Sequence, residues 1–338
     1  MFKSNVEKHG IVAPHEKHVI PCDADNNVLP DTLHIIVPYS NYSNFNSRMD
    51  LHFTCRQYLE QLPGAEVWIV EVALGDRPFM VTKEDNDHHI QLRTTDVLWH
   101  KESMINVGVR FLTAKRPHWK YVAWVDGDVQ FRNHNICYQT IHQLQTYSVV
   151  QMFASVVNLG PRGQIFDTHH GFCYMYAKNG YRRPPNIQKY ENWHPGFAWA
   201  CTRKAFTDMG GLIDWAILGS ADHHMILALV GAVTQSVHKK ASLAYIRKLV
   251  HWQERVERTI NRNIGFVEGT IEHGWHGKFK DRKYVQRWDI LVETAYDPDT
   301  DIKYAENGLV MFDKPKHRLR DLVRHYFDSR NEDTVEYY

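Results

Sequence analysis

Two aspartates separated by one glycine follow a short apolar run of the sequence. The run 121–125 is apolar, and Asp126, Gly127 and Asp128 come directly after it. In an extended segment residues i and i+2 point to the same side, so both carboxylates can face one cation. Gly127 leaves room for a ligand to approach the backbone, and carboxylate oxygens suit Mg²⁺ or Mn²⁺. The segment therefore favours a divalent metal site, although Asp-Gly pairs also form plain turns after strands.

A second candidate is Asp222, which stands where a loop of small residues becomes an apolar helix. The loop contains Gly219, Ser220 and Ala221. A carboxylate at such a corner can accept a proton from a hydroxyl nucleophile. Helix N-capping explains an aspartate at this position equally well. The residues alone therefore leave a general base and a capping residue as equal alternatives.

A third candidate is a loop of glycine, aromatic and basic residues that carries His273 and His276. Imidazole is a good additional ligand for Mn²⁺ beside carboxylates. In the same loop, Lys278 and Arg282 can meet phosphate oxygens, and arginine can do so through two parallel hydrogen bonds. Because the chain has 22 histidines, a structural role is the commoner one for any single histidine. The His-x-x-His spacing favours a metal-binding role modestly.

The composition is that of an ordinary globular protein with a net charge near zero. Hydrophobic residues make up 43% and charged residues 23%, and the formal net charge is +1. This balance excludes a strong overall attraction to nucleic acid or acidic membranes, but not a local basic patch. The sequence has no Walker-type phosphate loop, no Gly-x-Ser-x-Gly elbow and no His-Glu-x-x-His motif, which argues against the enzyme classes that use them.

The cysteines and the lack of long apolar segments predict a reducing, aqueous compartment. The five cysteines are widely spaced and form no Cys-x-x-Cys pair: Cys22, Cys55, Cys137, Cys173 and Cys201. A disulfide framework or a structural zinc site is therefore not expected. No run approaches the length of a membrane span, and residues 1–10 lack the apolar core of a signal peptide. We expect a cytoplasmic protein.

Apolar runs alternate with helical periodicity in the first half of the chain and predict an α/β fold. The predicted strands are 33–37, ended by Pro38, then 66–71 and 121–125, and the predicted helices are 48–62 and 101–114. This order is typical of a mostly parallel, doubly wound sheet flanked by helices. Ligands bind such sheets beyond the carboxyl ends of the strands. We therefore expect residues 38–39, 71–76 and 126–128 to lie along one edge.

The second half of the chain has a looser pattern. It predicts helices at 135–147 and 222–230, a strand at 149–157, a loop-rich insertion at 181–195 and a basic helix at 314–328. The predicted organisation is an irregular arm at 1–31, one α/β domain at 32–295 and a C-terminal extension with a helix at 296–338.

Several short motifs follow one another in a fixed order. They are Ile35-Ile36-Val37-Pro38-Tyr39, Gly75-Asp76, the segment 100–108, Asp126-Gly127-Asp128, the segment 195–200, Gly210-Gly211-Leu212 and the segment 219–222. This order resembles the GT-A glycosyltransferases, in particular the β-1,4-galactosyltransferases and the related family-two enzymes, over roughly residues 33–290. The resemblance implies a GT-A fold, a Rossmann-like and mostly parallel twisted sheet flanked by helices, in a single catalytic domain with a C-terminal helical tail.

The resemblance also implies roles for individual residues. It implies that Asp128 binds the metal directly, and that Asp126 holds the ribose or the water shell of the metal. His276 matches a further metal ligand, with His273 as the fallback, and Asp222 matches the catalytic base. The implied contacts to the nucleotide are Pro38, Tyr39, Glu71, Lys101, Asp126 and Lys278. The implied contacts to the acceptor or the sugar are Trp193, Trp215, Gly196 and His223.

The implied function is metal-dependent transfer of a sugar from a nucleotide-sugar, with Mn²⁺ or Mg²⁺ as cofactor. A UDP-linked hexose is the expected donor, and a glycan hydroxyl, glycosylated with inversion, is the expected acceptor. The galactosyltransferases have glutamate where this chain has Ala221, so their acceptor recognition does not carry over.

Other acceptors and functions stay open. Hydroxymethylated DNA bases and a protein side chain are alternative acceptors, and the basic residues His317, Arg318, Arg320 and Arg324 keep nucleic acid among the candidate partners. A nucleotidyltransferase and a non-catalytic carbohydrate-binding protein are the alternative functions. The given residues show neither an apolar run like the family's secretory anchor nor a cysteine framework, so we expect a soluble enzyme of bacterial or viral origin.

Overall fold

The computed structural model describes residues 31–182 and 193–336. Residues 1–30 of the predicted N-terminal arm, with Cys22, and most of the predicted insertion at 181–195 therefore lie outside the described residues.

The strands of the described part are numbered in chain order. They are β1 (Leu33–Ser40), β2 (Ala65–Leu74), β3 (His89–Thr94), β4 (Tyr121–Val125), β5 (Val129–Phe131), β6 (Val149–Gln151), β7 (Ser155–Leu159), β8 (Ile165–His170), β9 (Ala198–Thr202), β10 (Ile264–Phe266), β11 (Thr270–His273), β12 (Ile302–Tyr304) and β13 (Val310–Phe312). The α-helices are α1 (Asn46–Leu59), α2 (Lys101–Lys115), α3 (Ile136–Gln143), α4 (Phe172–Lys178), α5 (Arg203–Met209), α6 (Ala221–Leu229), α7 (Leu243–Thr259), α8 (Arg287–Glu293) and α9 (His317–Asp328).

Seven strands form the central sheet, in the order β10-β6-β9-β4-β1-β2-β3. Strands β4, β1, β2 and β3 run parallel, β9 is antiparallel to β4 and β6, and β10 is parallel to β6. Consecutive residues of β1, such as Ile35 and Ile36, are both buried, as expected for a sheet covered on both faces. The predicted α/β class with a mostly parallel sheet flanked by helices is confirmed.

The prediction that Pro38 ends the first strand is wrong. Strand β1 continues through Pro38 to Ser40 in register with β2. Its pairing with β4 stops at Ile36, so beyond that residue β1 has a partner on one side. Proline lacks the N–H that a ladder uses and is tolerated where one side of a strand is unpaired. The extension carries Tyr39 beyond the carboxyl end of β4.

The predicted single strand at 149–157 is also wrong, because the chain changes sheets within it. Strand β6 belongs to the central sheet, whereas β7 joins a smaller sheet of order β5-β11-β7-β8. Both strands are apolar and buried, so the hydrophobic run does not reveal where one sheet ends. In the small sheet, His273 of β11 pairs with Val129 of β5 and Asn158 of β7. This pairing places His273 beside the segment that contains Asp128.

The predicted helices occur with shifted ends. Helix α1 begins at Asn46 and ends at Leu59, α3 ends at Gln143, and α9 begins at His317, after Pro315. Such shifts are expected, because the last turns of a helix depend on caps that periodicity does not reveal.

The C-terminal residues pack onto the central domain. Leu319, Val323 and Tyr326 of α9 are buried. The carboxylate of Asp333 accepts the backbone N–H groups of Asn46 and Ser47 at 3.0 and 2.8 Å, at the start of α1. The last described residues therefore reach the start of α1.

Two expectations about chemistry and compartment can be compared with the described residues. Their four cysteines, Cys55, Cys137, Cys173 and Cys201, are buried and form no disulfide with one another. No helix in residues 31–182 and 193–336 combines the length and hydropathy needed to cross a membrane.

Candidate functional site

A cavity of about 940 Å³ opens beyond the carboxyl ends of β1 and β4. Pro38 and Tyr39 line it from the end of β1, and Asp126 and Asp128 line it from the segment after β4. Ligands bind α/β sheets in crevices of this kind. The structure therefore brings these four sequence-predicted residues together in one cavity.

Asp128, His273 and His276 form a cluster in this cavity, with one ligand atom from each within 4.8 Å of the others. His276 Nε2 lies 3.2 Å and His273 Nε2 lies 3.7 Å from Asp128 Oδ2, and the two Nε2 atoms are 3.2 Å apart. Two ligands bound to one ion at about 2.1 Å and about 90–110° lie roughly 3.0–3.4 Å apart. The two separations of 3.2 Å fall in this range and the third, 3.7 Å, lies about 0.3 Å above it, so a small side-chain adjustment would let the three groups hold a divalent cation.

The surroundings of the cluster suit a metal. The Nδ1–H of His273 donates to Asn158 Oδ1 at 2.8 Å, which leaves Nε2 with its lone pair. Burial lowers the pKa of His273 to about 4, so the imidazole is neutral at pH 7. Asp128 Oδ1 is buried and has no hydrogen-bond partner among the described residues, a deficit that a cation would satisfy. Two imidazoles make the site softer than the all-oxygen sites that Mg²⁺ prefers, which favours Mn²⁺.

Asp126, the other aspartate of the motif, is paired with Lys101 and does not belong to the cluster. Lys101 Nζ lies 3.0 Å from Asp126 Oδ1. Burial raises the pKa of Asp126 to about 6, and the ammonium opposes this rise. Burial alone would lower the pKa of Lys101, but Asp126, Glu102 and Asp222 keep it above its ordinary value. Lys101 is therefore a fixed positive charge shared by Asp126 and Asp222.

Asp222 lines the cavity from the first turn of α6. The helix begins at Ala221, and Ser220, at φ 77°, occupies the N-cap position, so the alternative of Asp222 as the N-cap is wrong. Asp222 Oδ1 accepts the backbone N–H of His223 at 2.8 Å. Burial would raise the pKa of Asp222, but the ammonium of Lys101 and the backbone N–H of His223 outweigh it and lower the pKa. The carboxylate is therefore ionised at neutral pH.

Two residues expected near the sugar also line the cavity, namely Gly196 and His223. A Cβ built on Gly196 would lie 2.6 Å from Asp222 Oδ2. The glycine therefore lets the backbone lie directly against the carboxylate, a close approach that a larger residue would prevent.

Glu71 is not brought to the cavity. Its carboxylate accepts the backbone N–H groups of Met80, Val81 and Thr82 and the hydroxyl of Thr82, at 2.5 to 3.0 Å. All of its acceptor capacity is directed at this loop, so the side chain organises the loop after β2. The alternation of strands and helices in the sequence does not reveal the path of this loop. From the sequence alone, Glu71, at the end of the predicted strand 66–71, is therefore expected to contact the nucleotide.

Three further predicted residues also lie outside the cavity lining. Trp215 is 5% exposed and packs edge-to-face on Tyr245 in the core. Trp193 packs edge-to-face on Phe172. Lys278 Nζ pairs with Glu336 Oε2 at 2.9 Å. These contacts direct the three side chains away from the residues that line the cavity.

Sequence reasoning missed Glu332 and Arg48, which lie beside the cluster of Asp128, His273 and His276. Glu332 Oε2 is 3.7 Å from His276 Nδ1, and Arg48 holds both carboxylate oxygens of Glu332, at 2.8 and 2.6 Å. Arg48 and Glu332 are 284 positions apart in the chain. No local motif connects residues so far apart, so only the packing of the C-terminal segment reveals them.

His194 is a further cavity residue that carried no sequence signal. Its ring stacks on Phe197 at 4.0 Å, and its Nδ1 accepts the N–H of Gly196 at 3.1 Å. Burial lowers the pKa of His194 to about 3. The imidazole is therefore neutral, with its proton on Nε2, and stands beside the Asp222 end of the site.

Neither a family model nor a curated protein sequence matches this chain. Among solved structures, the chain is similar to the catalytic domain of Drosophila β-1,4-galactosyltransferase 7 in complex with xylobiose, at 14% identity, 86% of this chain and 97% of that chain, with a TM-score of 0.39. A nucleotide-diphospho-sugar transferase from Desulfovibrio desulfuricans matches at 10% identity, over 71% of this chain and 81% of that chain, with a TM-score of 0.32. A Pyrobaculum calidifontis mannosyltransferase in complex with GDP-Man and Mn²⁺ matches at 13% identity, over 81% of this chain and 65% of that chain, with a TM-score of 0.39.

Proposed function

We propose that this chain is a metal-dependent glycosyltransferase that moves a sugar from a nucleotide-sugar to an acceptor hydroxyl. The observation that carries the proposal is the presence of two separate groups in one cavity, the Asp128, His273 and His276 cluster and the carboxylate of Asp222. Transfer from a diphosphate requires positive charge at the leaving group and a base at the nucleophile. The cavity holds residues for both tasks.

Asp128, His273 and His276 would hold the cation, for which we assign Mn²⁺. When bound, the cation neutralises the charge that develops on the departing diphosphate. Asn158 keeps the Nε2 lone pair of His273 directed at the ion through its 2.8 Å hydrogen bond. Lys101 adds an ammonium beside Asp126, where the nucleotide would enter between the ends of β1 and β4.

Asp222 would act as the general base. Its ionised carboxylate takes the proton of the acceptor hydroxyl as the hydroxyl oxygen bonds to the anomeric carbon and the bond to the diphosphate breaks. A single displacement of this kind inverts the anomeric centre. The backbone N–H of His223 holds the carboxylate of Asp222 in place. The ammonium of Lys101 lowers the pKa of Asp222, so the carboxylate is unprotonated and available to accept the proton of the hydroxyl during the reaction.

We assign UDP as the nucleotide of the donor, a hexose as the sugar and a glycan hydroxyl as the acceptor. These finer assignments rest on the ordered motifs described above, and Pro38 and Tyr39 at the cavity support the nucleotide contact. A thermal-shift screen of nucleotide-sugars with Mn²⁺ tests the donor, because a ligand that binds the native state raises the unfolding temperature.

Metal removal tests the function itself. We expect EDTA to abolish the release of nucleotide from the donor and Mn²⁺ to restore it, because the leaving group loses its counter-charge without the ion. At limiting Mn²⁺, Asp128→Asn is expected to lose the release of nucleotide as EDTA-treated protein does, because one ligand of the ion is weakened. Full activity in EDTA would exclude the metal role, and release of pyrophosphate rather than a nucleoside diphosphate would indicate a nucleotidyltransferase.

A further inference from the structure

Three buried arginines converge on one side of the cavity. Arg282, Arg287 and Arg330 are 6%, 9% and 4% exposed, and all three belong to the cavity lining. Two of them meet at Tyr284: Arg282 Nη1 donates to its hydroxyl at 3.2 Å, and the Arg287 guanidinium lies 5.1 Å from its ring centroid. Burial would raise the pKa of Tyr284, but the three guanidinium groups outweigh it and lower the pKa. This side of the cavity is therefore strongly positive.

The carboxylates near this cluster are too few to neutralise it. Arg330 Nε pairs with Glu332 at 2.7 Å, but Glu332 also holds Arg48. In residues 31–182 and 193–336, neither Arg282 nor Arg287 forms an ion pair with a carboxylate, and Arg282 Nε has no hydrogen-bond partner. A buried charge without a partner is costly. Arg282 and Arg287 therefore carry positive charge that no carboxylate of the described residues neutralises, and both line a cavity large enough for a ligand.

The guanidinium group is suited to one class of ligand. Its fixed fork of N–H groups matches the oxygens of phosphate and carboxylate, and it stays charged when buried. We propose that Arg282, Arg287 and Arg330 bind an oxyanion, a phosphate monoester or a carboxylate, carried by the acceptor glycan. This proposal rests on the proposed glycosyl transfer and adds to it that the acceptor is anionic.

The position of Arg287 connects the cluster to the acceptor side. Arg287 donates to the carbonyl of Leu218 at 2.9 Å and to Ser220 Oγ at 2.6 Å. These residues directly precede α6, whose first turn carries Asp222, the group that would activate the acceptor. The diphosphate has its own counter-charge in the ion that Asp128, His273 and His276 would hold. An anion at Arg287 therefore belongs with the nucleophile rather than with the leaving group.

Inorganic phosphate is the probe for this site, and thermal unfolding in EDTA at fixed ionic strength is the measurement. We expect phosphate to stabilise the wild-type protein and Arg282→Gln to weaken its apparent affinity by about tenfold or more. The exposed Arg162 lies outside the cavity lining, so Arg162→Gln, the matched control, is expected to leave the phosphate affinity unchanged. Arg330→Gln serves as the second variant if Arg282→Gln does not fold.

A second binding measurement, with UDP, shows whether the arginines bind the acceptor or the diphosphate of the donor. UDP with Mn²⁺ is expected to bind Arg282→Gln within about threefold of its wild-type affinity, because the ion carries the diphosphate charge. A loss of UDP affinity equal to the loss of phosphate affinity would overturn the acceptor assignment and place the donor diphosphate on the arginines. Equal phosphate affinity in wild-type and variant protein would overturn the oxyanion site.

The outcomes also separate this proposal from the proposed function. If the wild-type protein binds no nucleotide-sugar with Mn²⁺, the proposed glycosyl transfer fails whatever the phosphate result. If nucleotide-sugars bind but phosphate stabilisation does not depend on Arg282, the anionic acceptor alone fails. Duplex DNA that binds in an Arg282-dependent manner and displaces phosphate would overturn the glycan as the carrier of the anion.

Discussion

Charge at individual side chains divides the cavity into two chemical halves. Asp128 lies beside the imidazoles of His273 and His276, whereas Asp126 and Asp222 share the ammonium of Lys101. The two aspartates of one Asp-x-Asp motif therefore have different partners, although they lie two positions apart. The sequence spacing predicted that both could face one cation, whereas in the structure Asp126 Oδ1 pairs with Lys101 Nζ at 3.0 Å and, of the two, Asp128 alone belongs to the histidine cluster.

Asp222→Asn is the substitution that tests the base. The amide keeps the size of the side chain but cannot take the proton of the acceptor hydroxyl, so we expect kcat to fall by about a hundredfold or more. Binding of UDP with Mn²⁺ is expected to persist, because the nucleotide side of the cavity is untouched. Steady-state kinetics and calorimetric titration measure the two quantities.

A matched control for this substitution is Asp313→Asn. Asp313 forms an exposed ion pair with Lys303 at 3.0 Å, and such pairs contribute little to stability. We expect wild-type turnover from the control. Equal rates for wild-type and Asp222→Asn protein would exclude Asp222 as the base.

At the scale of elements, the segment before β9 positions the base as much as α6 does. Gly196 lies against Asp222, and an added Cβ would stand 2.6 Å from Oδ2. Gly196→Ala must therefore displace either the carboxylate or the backbone. We expect kcat to fall on the order of ten- to a hundredfold, because small misplacements of a reacting group are costly, while the protein stays folded. Turnover and the thermal unfolding temperature are the measurements.

The control for the glycine is Gly160→Ala. A Cβ at Gly160 meets the side chain of Gln164 at 2.6 Å, but Gln164 is exposed and can move. Turnover of this variant is expected to match the wild-type value. An unchanged kcat for Gly196→Ala would show that contact between this backbone and Asp222 has no part in placing the base.

Some strands and helices of the fold could be predicted from the sequence, and others could not. Strands β1, β2 and β4 and helix α2 are local patterns of apolar residues, and the carboxyl-end rule places Asp126 and Asp128 correctly beside them. The switch from β6 to β7 was not predictable, because both strands are equally apolar. Without that switch the pairing of His273 with Asn158 and Val129 cannot be inferred.

At the scale of the whole molecule, the cavity is completed by the C-terminal segment. Glu332 binds Arg48 of α1 and lies near His276, and Arg330 belongs to the arginine cluster. Sequence analysis placed these residues in a separate extension, since nothing in residues 329–336 resembles a motif. Contacts between the ends of a chain are set by the packing of all elements between them, and single-sequence patterns carry no information about that packing.

Buried histidines give the whole molecule a predictable dependence on pH. Full or partial burial lowers the pKa of nine histidines of the described residues: His34, His52, His89, His100, His169, His194, His223, His224 and His273. In the unfolded chain a histidine has a pKa of about 6.5. Below that pH the unfolded state binds more protons than the native state, so the free energy of unfolding falls as the pH falls.

His52 allows the contribution of one buried histidine to the pH dependence of stability to be measured. It is 1% exposed, burial lowers its pKa to about 3, and neither ring nitrogen has a hydrogen-bond partner among the described residues. Between about pH 5 and 6.5 each such histidine contributes up to about 1.4 kcal/mol per pH unit. Glu102 and Asp126, whose pKa values burial raises, oppose this slope but are outnumbered. Stability is therefore expected to be lost on acidification through this range.

Urea unfolding in EDTA at pH 7.5 and pH 5.5 measures the effect. The wild-type free energy of unfolding is expected to be clearly lower at pH 5.5, and His52→Leu is expected to reduce the difference by about 1 kcal/mol, because one buried proton acceptor is gone. His118→Leu, at an exposed histidine, is the matched control and is expected to keep the wild-type difference. If His52→Leu and His118→Leu show the same pH difference, the buried imidazole of His52 is not a source of the acid sensitivity.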